Sequence, residues 1–267
     1  MQFAGNRISR RAGAGHQGAG IGGDHLDHIT REYWAPASAS MQLSILALIA
    51  FAASTAALQV ATPTAPTRTT IGSLTVTENT ESCGNAFGVD TTGCKIWDAG
   101  RVLSTLVSDP DAVSGKTVLE LGSGTGVGGL SAAAAGAASV LLTDGADATL
   151  ELLERNAVAN GHCRADVDVA RLRWGDESDL ESAAKRGPFD LIMGSDLLYA
   201  PEAFPELLES LAALCTPDVT EVLLTYPVRF TESIFLEQAE EYNFEQIEWA
   251  EEVEPSLWCS RLRLRAE

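Results

Sequence analysis

The chain has 267 residues, of which 45% are hydrophobic, and this is enough to bury a packed core. Its 37 acidic and 18 basic residues give a formal net charge of -19, which would repel a phosphate backbone; we therefore expect no nucleic-acid partner, whereas a basic protein segment is compatible. Five widely spaced cysteines form no Cys-x-x-Cys pair, and three of the four histidines lie at or before His28, so we expect neither a disulfide framework nor a metal site.

The N-terminal part of the chain differs in composition from the rest. Residues 1–40 are rich in Gly, Ala, Arg and Ser without hydrophobic periodicity, which predicts a disordered leader. Residues 41–60 contain an uncharged apolar run followed by small residues, compatible with a secretory or organellar targeting peptide, a membrane anchor or a stretch of no consequence. Its Ala, Ser and Thr content favours targeting, and we expect membrane contact only through this segment. Residues 61–70 predict a Pro/Thr linker, which places the folded domain at residues 71–267.

From residue 71 onwards strand-like and helix-like stretches alternate, which predicts an α/β fold with helices covering a sheet. The predicted strands are 117–121, 139–143, 167–172, 191–194 and 221–226. The predicted helices are 126–135, 146–160, 201–215 and 231–242. Two further strands, 244–250 and 257–264, are joined by a short polar connection, which favours an antiparallel hairpin over a crossover.

A glycine-rich loop follows the first predicted strand. Gly122, Gly124 and Gly126 alternate with Ser123 and Thr125. In an open α/β sheet, a loop of this kind at the carboxyl end of a strand lets backbone N–H groups approach a ligand. The five residues are therefore candidates for cofactor binding.

The residues around this loop distinguish between two classes of cofactor. A dinucleotide fingerprint requires a third glycine where Val127 stands, and Glu120, two residues before the loop, would repel a pyrophosphate. S-adenosylmethionine carries an ammonium and a sulfonium group and no phosphate, so Glu120 favours it over NAD. Asp144 ends the next predicted strand, where a carboxylate can accept both hydroxyls of a ribose, although the position also suits a helix cap.

Three further segments surround the loop in the sequence. They are Gly93-Cys-Lys-Ile-Trp97-Asp-Ala-Gly-Arg-Val-Leu103, Leu172-Arg-Trp174-Gly-Asp176 and Gly194-Ser-Asp196-Leu-Leu-Tyr199. With the loop, they resemble the seven-strand protein-lysine methyltransferases of family 16, the methyltransferase-like group, over about residues 90–230, and Asp196-x-x-Tyr199 matches that family's Asp-x-x-Tyr motif. The resemblance implies a Rossmann-like, seven-stranded class I methyltransferase sheet, mostly parallel with a C-terminal antiparallel hairpin.

The resemblance also implies roles for individual side chains. By it, Trp97 contributes to the cofactor pocket, Trp174 lies near the adenine and Ser195 lines the cofactor site. An indole offers the large apolar surface that an adenine face favours. We hypothesise that Asp196 orients the incoming amine and that the Tyr199 ring walls a lysine channel. Alternatively, Asp196 begins a turn and Tyr199 packs beneath the next helix.

The predicted function is that of an S-adenosylmethionine-dependent protein-lysine N-methyltransferase, acting as a monomer on a protein that presents a lysine. One alternative is methylation of another nucleophile, such as a histidine, a glutamine amide or a small-molecule amine. A second alternative is a cofactor-binding scaffold without transfer activity. Cofactor motifs do not separate these functions, because acceptor choice depends on loops that vary over one fold.

Overall fold

The computed structural model describes residues 66–79, 85–86, 89–90, 92–161 and 165–266, all within a unit that spans residues 63–267. The predicted leader and the apolar segment at 41–60 lie outside the described residues. Among the helices that are described, none is both long and apolar enough to cross a bilayer.

The elements follow one another in alternation from residue 117. They are β1 (Thr67–Ile71), β2 (Leu74–Glu78), β3 (Asn85–Ala86), β4 (Val89–Asp90), α1 (Asp98–Val107), α2 (Pro110–Val113), β5 (Thr117–Leu121), α3 (Val127–Ala135), β6 (Ser139–Asp144), α4 (Asp147–Ala159), β7 (Asp166–Arg171), α5 (Glu177–Ala184), β8 (Leu191–Ser195), α6 (Phe204–Leu214), β9 (Glu221–Pro227), α7 (Thr231–Glu241), β10 (Phe244–Glu254) and β11 (Leu257–Leu264). Short 3-10 turns occupy Thr92–Cys94 and Pro201–Ala203. The hairpin β1–β2 and the helices α1 and α5 lie outside the sequence-based predictions.

Seven of the described strands form one sheet in the order β10-β11-β9-β8-β5-β6-β7. Strands β5 to β9 pair in parallel, while β11 pairs antiparallel with both β9 and β10. The predicted mostly parallel sheet with a C-terminal antiparallel hairpin is therefore confirmed. The chain builds outward from β5 to β7, then returns to place β8 on the other side of β5. The carboxyl ends of β5 and β8 thus flank the switch point at which open α/β sheets bind ligands.

Helices cover both faces of the sheet because its strands are buried on both sides. On β5, Leu119 and Leu121 join a core cluster with α6 and α7, whereas Val118 joins a second cluster with α1 and α3. Successive side chains of a strand point to opposite faces, so Glu120 lies on the Val118 side. This places the Glu120 carboxylate under α3.

A β-hairpin begins within the predicted linker, since residues 67–70 lie in β1. The outer edge of β2 pairs with two asparagine side chains in place of a strand, one from α4 and one from the residue that caps its C-terminus. Asn156 bonds the Thr77 N–H and C=O at 2.8 and 3.0 Å, and Asn160 bonds those of Thr75 at 3.0 and 2.9 Å. The same Asn156 amide donates to the Thr125 carbonyl at 2.9 Å, which links the hairpin to the glycine loop.

Candidate active site

A cavity of about 940 Å³ opens at the switch point of the sheet. Its size lies within the range of about 300–1,000 Å³ that is usual for small-ligand sites. Seven of the predicted site residues line it: Trp97, Gly122, Asp144, Trp174, Ser195, Asp196 and Tyr199. Five others lie outside the lining: Glu120, Ser123, Gly124, Thr125 and Gly126. Gly122 is the loop residue in the lining, whereas Ser123 and Thr125 are buried, and the Gly124 N–H donates to the cavity residue Asp144.

The glycine loop is held in place by close backbone packing. Gly122 has φ +55°, and a side chain at Gly124 would come within 2.8 Å of the Gly93 carbonyl oxygen. Ser123 extends the pairing with β6, because its N–H donates to the Thr143 carbonyl at 2.7 Å and its hydroxyl accepts from the Thr143 N–H at 3.0 Å. The Ser123 hydroxyl is therefore committed to the loop itself.

Glu120 departs from its predicted position beside a cationic headgroup. Its side chain is 2% exposed and accepts a hydrogen bond from the Gly129 N–H at 3.0 Å, in the first turn of α3. Small residues make room for it, since a side chain at Gly128 would come within 2.3 Å of its Oε1. The carboxylate satisfies a helix N-terminus, where donors lack intrahelical partners, instead of facing the cavity.

Burial raises the pKa of the Glu120 carboxyl from 4.5 to about 7, since desolvation outweighs the hydrogen bonds from Gly129 and Ser123. The folded state therefore holds this proton more tightly than the unfolded chain does. The resulting stabilisation is complete below about pH 4.5 and is lost as the pH rises through about 7, and the pKa difference corresponds to about 3 kcal/mol.

We expect Glu120→Gln to remove this pH dependence, because the amide stays neutral. Urea unfolding at about pH 5 and about pH 8 would measure it. Relative to Glu120→Gln, the free energy of unfolding of the wild type should fall by up to about 3 kcal/mol over this interval. Equal pH dependence in the two proteins would contradict the assignment.

Asp144 lies at the carboxyl end of β6, on the wall of the cavity. Its two carboxylate oxygens accept hydrogen bonds from the Gly124 N–H at 3.1 Å and the Ala146 N–H at 3.0 Å. Each carboxylate oxygen has two lone pairs, so a carboxylate can accept several hydrogen bonds at once. Asp144 thus connects the glycine loop to the cavity wall.

The two tryptophans predicted for the site both line the cavity. Trp97 immediately precedes α1, is 41% exposed, and donates from its indole N–H to the Thr92 carbonyl at 3.1 Å. Trp174 is half-buried against the core cluster of α6, and the adjoining Gly175 N–H donates to the Ser210 hydroxyl at 2.9 Å. One ring is thus held from the α1 side of the sheet and the other from the α6 side.

Asp196 follows β8 directly and has an unusual backbone conformation. Its φ is +56°, a left-handed value that Asp adopts more readily than most side chains, and its N–H donates to the Thr225 carbonyl at 2.8 Å. The Arg229 guanidinium binds its carboxylate through two contacts, of which the Nη2–Oδ2 distance is 3.3 Å. Asp196 is the more enclosed partner, with 12% of its side chain exposed against 38% for Arg229.

Sequence reasoning did not assign a role to Arg229. The segment Tyr226-Pro-Val-Arg229 resembles the family's segment that ends in a basic residue, but nothing in the spacing places Arg229 against Asp196, 33 residues earlier. The parallel pairing of β8 with β9 brings the two carboxyl ends together. Tyr199 is 53% exposed. Its segment is joined to the start of α7, because the adjacent Leu198 carbonyl accepts a hydrogen bond from the Thr231 hydroxyl.

The cavity is acidic. Among its described lining residues are five carboxylates and two guanidiniums: Asp144, Asp147, Asp196, Glu202, Glu206, Arg173 and Arg229. Both arginines are ion-paired, Arg173 with Asp179 at 2.7 Å and Arg229 with Asp196. The potential at the opening therefore favours a cationic ligand.

The fold is that of the class I methyltransferases, which use S-adenosylmethionine. The chain is similar to a Streptococcus mutans protein assigned to the S-adenosylmethionine-dependent methyltransferases, with 14% identity, a TM-score of 0.54, and coverage of 77% of this chain and 57% of that one. It is also similar to the tRNA (uracil-54, C5)-methyltransferase of Pyrococcus abyssi in complex with S-adenosyl-L-homocysteine, with 16% identity, a TM-score of 0.50, and coverage of 74% and 44%. At these identities the likeness shows the fold alone.

The chain belongs to the lysine methyltransferase family, because the model of that family matches residues 84–250. It is 40% identical over 139 residues to protein N-lysine methyltransferase METTL21A of Danio rerio, covering 51% of this chain and 61% of that protein. It is 34% identical over 177 residues to the Mus musculus METTL21A, covering 64% and 78%. It is 34% identical over 142 residues to EEF1A lysine methyltransferase 3 of Mus musculus, covering 53% and 57%.

These findings confirm the predicted family and the predicted fold. The chain spans 61% of the length of METTL21A of Danio rerio and 57% of that of EEF1A lysine methyltransferase 3 of Mus musculus, so methyl transfer by this chain is a proposal. The roles assigned to single site residues, the domain boundaries and the monomeric state stay predictions.

Proposed function

We propose that this chain transfers a methyl group from S-adenosylmethionine to the Nζ atom of a lysine in a protein substrate. The observation that carries the proposal is one acidic cavity at the switch point, lined on one side by Asp144 and on the other by Asp196 and Tyr199. A cofactor site and an acceptor site then share one space, as direct transfer between two bound molecules requires.

The cofactor half of the cavity is suited to the chemistry of S-adenosylmethionine. In our proposal the Asp144 carboxylate accepts the ribose hydroxyls, the two tryptophans provide apolar surface for the adenosyl group, and Ser195 lines the site beside Gly122. Ser123, Thr125 and Gly126 form the rest of the loop with Gly124, and Glu120 supports the loop from the core side. The cofactor, when bound, supplies a methyl group that its sulfonium already activates.

We expect Asp144→Ala to weaken the binding of S-adenosylhomocysteine about tenfold or more. The variant loses hydrogen bonds to a charged group, worth about 1.5 kcal/mol or more, and frees the Gly124 N–H from its partner. Isothermal titration calorimetry measures the affinity. Asp147→Ala is a matched control, because Asp147 also lines the cavity but its carboxylate pairs with Arg171 at the surface. Equal affinities in Asp144→Ala and the wild type would contradict the assignment.

The acceptor half must favour a neutral amine, because an ammonium has no lone pair and a lysine has a reference pKa of about 10.4. An isolated carboxylate would stabilise the ammonium form of lysine and so oppose transfer. In our proposal Arg229 balances the charge of Asp196. The Asp196 carboxylate then accepts a hydrogen bond from the neutral amine without stabilising the ammonium form of the lysine. The Tyr199 ring walls the lysine side chain.

The proposed reaction is an in-line displacement. The bond between the lysine nitrogen and the methyl carbon forms as the carbon–sulfur bond breaks, which leaves S-adenosylhomocysteine. The nitrogen loses its proton to water or to Asp196. The contribution of the protein is alignment of the amine and exclusion of water.

A transfer assay tests this function. The full chain and tritiated S-adenosylmethionine are added to an extract of source cells that lack the enzyme, and mass spectrometry identifies the labelled residue. We expect label on a protein lysine. Label on a histidine, a glutamine amide or a small-molecule amine would identify the alternative acceptor. Cofactor binding without transfer would identify a scaffold. The sequence identity to METTL21A of Danio rerio and of Mus musculus, both protein N-lysine methyltransferases, supports lysine.

A further inference from the structure

The segment between β9 and α7 exposes apolar side chains beside the cavity. Val228 and Phe230 are 41% and 82% exposed and lie on either side of Arg229, which lines the cavity. Ile234, one helical turn after Phe230, is 43% exposed. We call Val228, Phe230 and Ile234 the apolar rim. Single exposed apolar residues are common, but three within one turn and its approach, next to a site, indicate a binding surface.

The backbone holds the Phe230 ring in solvent. Phe230 has φ +67° and ψ -12°, a left-handed conformation that bulky side chains seldom adopt. The segment is fixed on both sides of it, because the Arg229 N–H donates to Glu232 at 3.1 Å and the Thr231 hydroxyl donates to the Leu198 carbonyl. Strain of this kind persists where the surrounding structure imposes it, and it is concentrated at functional sites.

The rim adjoins the acceptor half of the cavity. The bond from Thr231 to the Leu198 carbonyl joins the start of α7 to the segment that bears Tyr199. Helix α7 also packs against the 3-10 turn at Pro201–Ala203, where Glu202 and Ala203 line the cavity. A chain that enters the acceptor half from the α7 side therefore passes over the rim.

Charge indicates what kind of chain fits. The cavity lining holds more carboxylates than guanidiniums, its two arginines are ion-paired, and the whole protein has a formal charge of -19. Glu202 and Glu206 are exposed at the opening. A partner segment rich in Lys or Arg is attracted to this surface, and an acidic one is repelled.

We propose that the apolar rim binds an apolar side chain next to the methylated lysine, within a basic, extended segment of the protein substrate. In an extended segment, side chains two residues apart point to the same side. A lysine in the cavity and an apolar residue two positions away would thus face the enzyme together. Aromatic side chains such as Phe230 dominate the energetics of contacts of this kind. The inference rests on the proposed function for the identity of the acceptor, while the binding itself is tested independently.

Paired fluorescent peptides test the binding. Each peptide has a central lysine and the same number of arginines, with leucine in one and serine in the other at the positions two residues from the lysine. Fluorescence anisotropy measures their affinity for the full chain saturated with S-adenosylhomocysteine. We expect the leucine peptide to bind the wild type about tenfold more tightly. Phe230→Ser should reduce this preference to less than about twofold.

Val219→Ser is the matched control. Val219 is 60% exposed but lies in the turn before β9, at the amino ends of the parallel strands, whereas the cavity lies at their carboxyl ends. It should keep the full preference for leucine. Affinity for S-adenosylhomocysteine should equal that of the wild type in both variants, which verifies their folding. Equal binding of the two peptides to the wild type, no binding of either, or an unchanged preference in Phe230→Ser would overturn the proposal.

Methyl transfer to the same peptides separates the two proposals. Selective binding of the leucine peptide without label on its lysine would refute the lysine acceptor and leave the rim in place. Label on both lysines with equal kcat/KM would refute the rim and leave the acceptor in place.

Discussion

Asp196→Ala is expected to lower kcat/KM for methyl transfer about a thousandfold while affinity for S-adenosylhomocysteine stays within about threefold of the wild type. Alignment of the amine and acceptance of its hydrogen bond are lost, and effects of this type span about 10²–10⁴-fold. The Arg229 guanidinium also loses its partner and repels a cationic side chain that enters. Steady-state kinetics on the labelled substrate and calorimetry with S-adenosylhomocysteine measure the two quantities.

Two further variants separate charge from backbone conformation. Asp196→Asn keeps a residue type that tolerates φ +56° and removes only the charge, so it should lose most of the activity. Asp218→Ala places alanine at another left-handed position, φ +59°, in the turn before β9 and away from the cavity. It should retain normal turnover. Near-normal turnover of Asp196→Ala would remove Asp196 from the mechanism.

Arg229→Gln is expected to lower kcat at saturating substrate about a hundredfold from about pH 7 to about pH 9, with the loss shrinking to about twentyfold near pH 11, above the reference pKa of lysine. Without the guanidinium, the Asp196 carboxylate stabilises the ammonium form of the bound lysine and raises the pKa of that lysine by about 2. Each increase of one in that pKa reduces the neutral amine about tenfold at neutral pH. Because the pH dependence of kcat reports the enzyme–substrate complex, a profile from about pH 7 to about pH 11 measures the shift.

Arg229→Lys is the control for charge, because it keeps a cation beside Asp196 and should restore most of the pH profile of the wild type. The bidentate geometry of the guanidinium is lost, so the rate itself need not recover fully. A loss in Arg229→Gln that is as large at about pH 11 as at about pH 7 would contradict the proposed charge balance and indicate a structural role.

The sheet could be predicted because its signals are local. The runs at 117–121 and 257–264 are strands with those bounds in the structure. The hairpin of β1 and β2 could not be predicted, because its outer edge pairs with Asn156 and Asn160, about 80 residues later in the chain. Helix α5 is short and polar, and the Asp176 cap that begins it resembles an ordinary turn.

The candidate site could be predicted in part for the same reason. Asp144 ends β6, and Asp196 and Tyr199 lie within four residues after β8, and strand ends can be found from sequence. The glycine motif alone does not show which way the Glu120 side chain points. The alternation of side chains along β5 places it on the Val118 face, under α3, and this orientation could have been inferred from the sequence. Arg229 could not be found, because only the pairing of β8 with β9 brings it to Asp196.

The Asn156 side chain connects the N-terminal hairpin to the glycine loop of the cofactor site. One buried amide bonds both β2 and the Thr125 carbonyl of the glycine loop, so ordering of either element removes a freedom that the other would otherwise have to restrict. We therefore expect packing of the hairpin and binding of the cofactor at the loop to be thermodynamically linked, and such a linkage is reciprocal. The hairpin residues 67–78 precede the family match at 84–250, yet we expect them to contribute to the affinity of a site that they do not line. By the same linkage, we expect bound cofactor to stabilise the hairpin against α4.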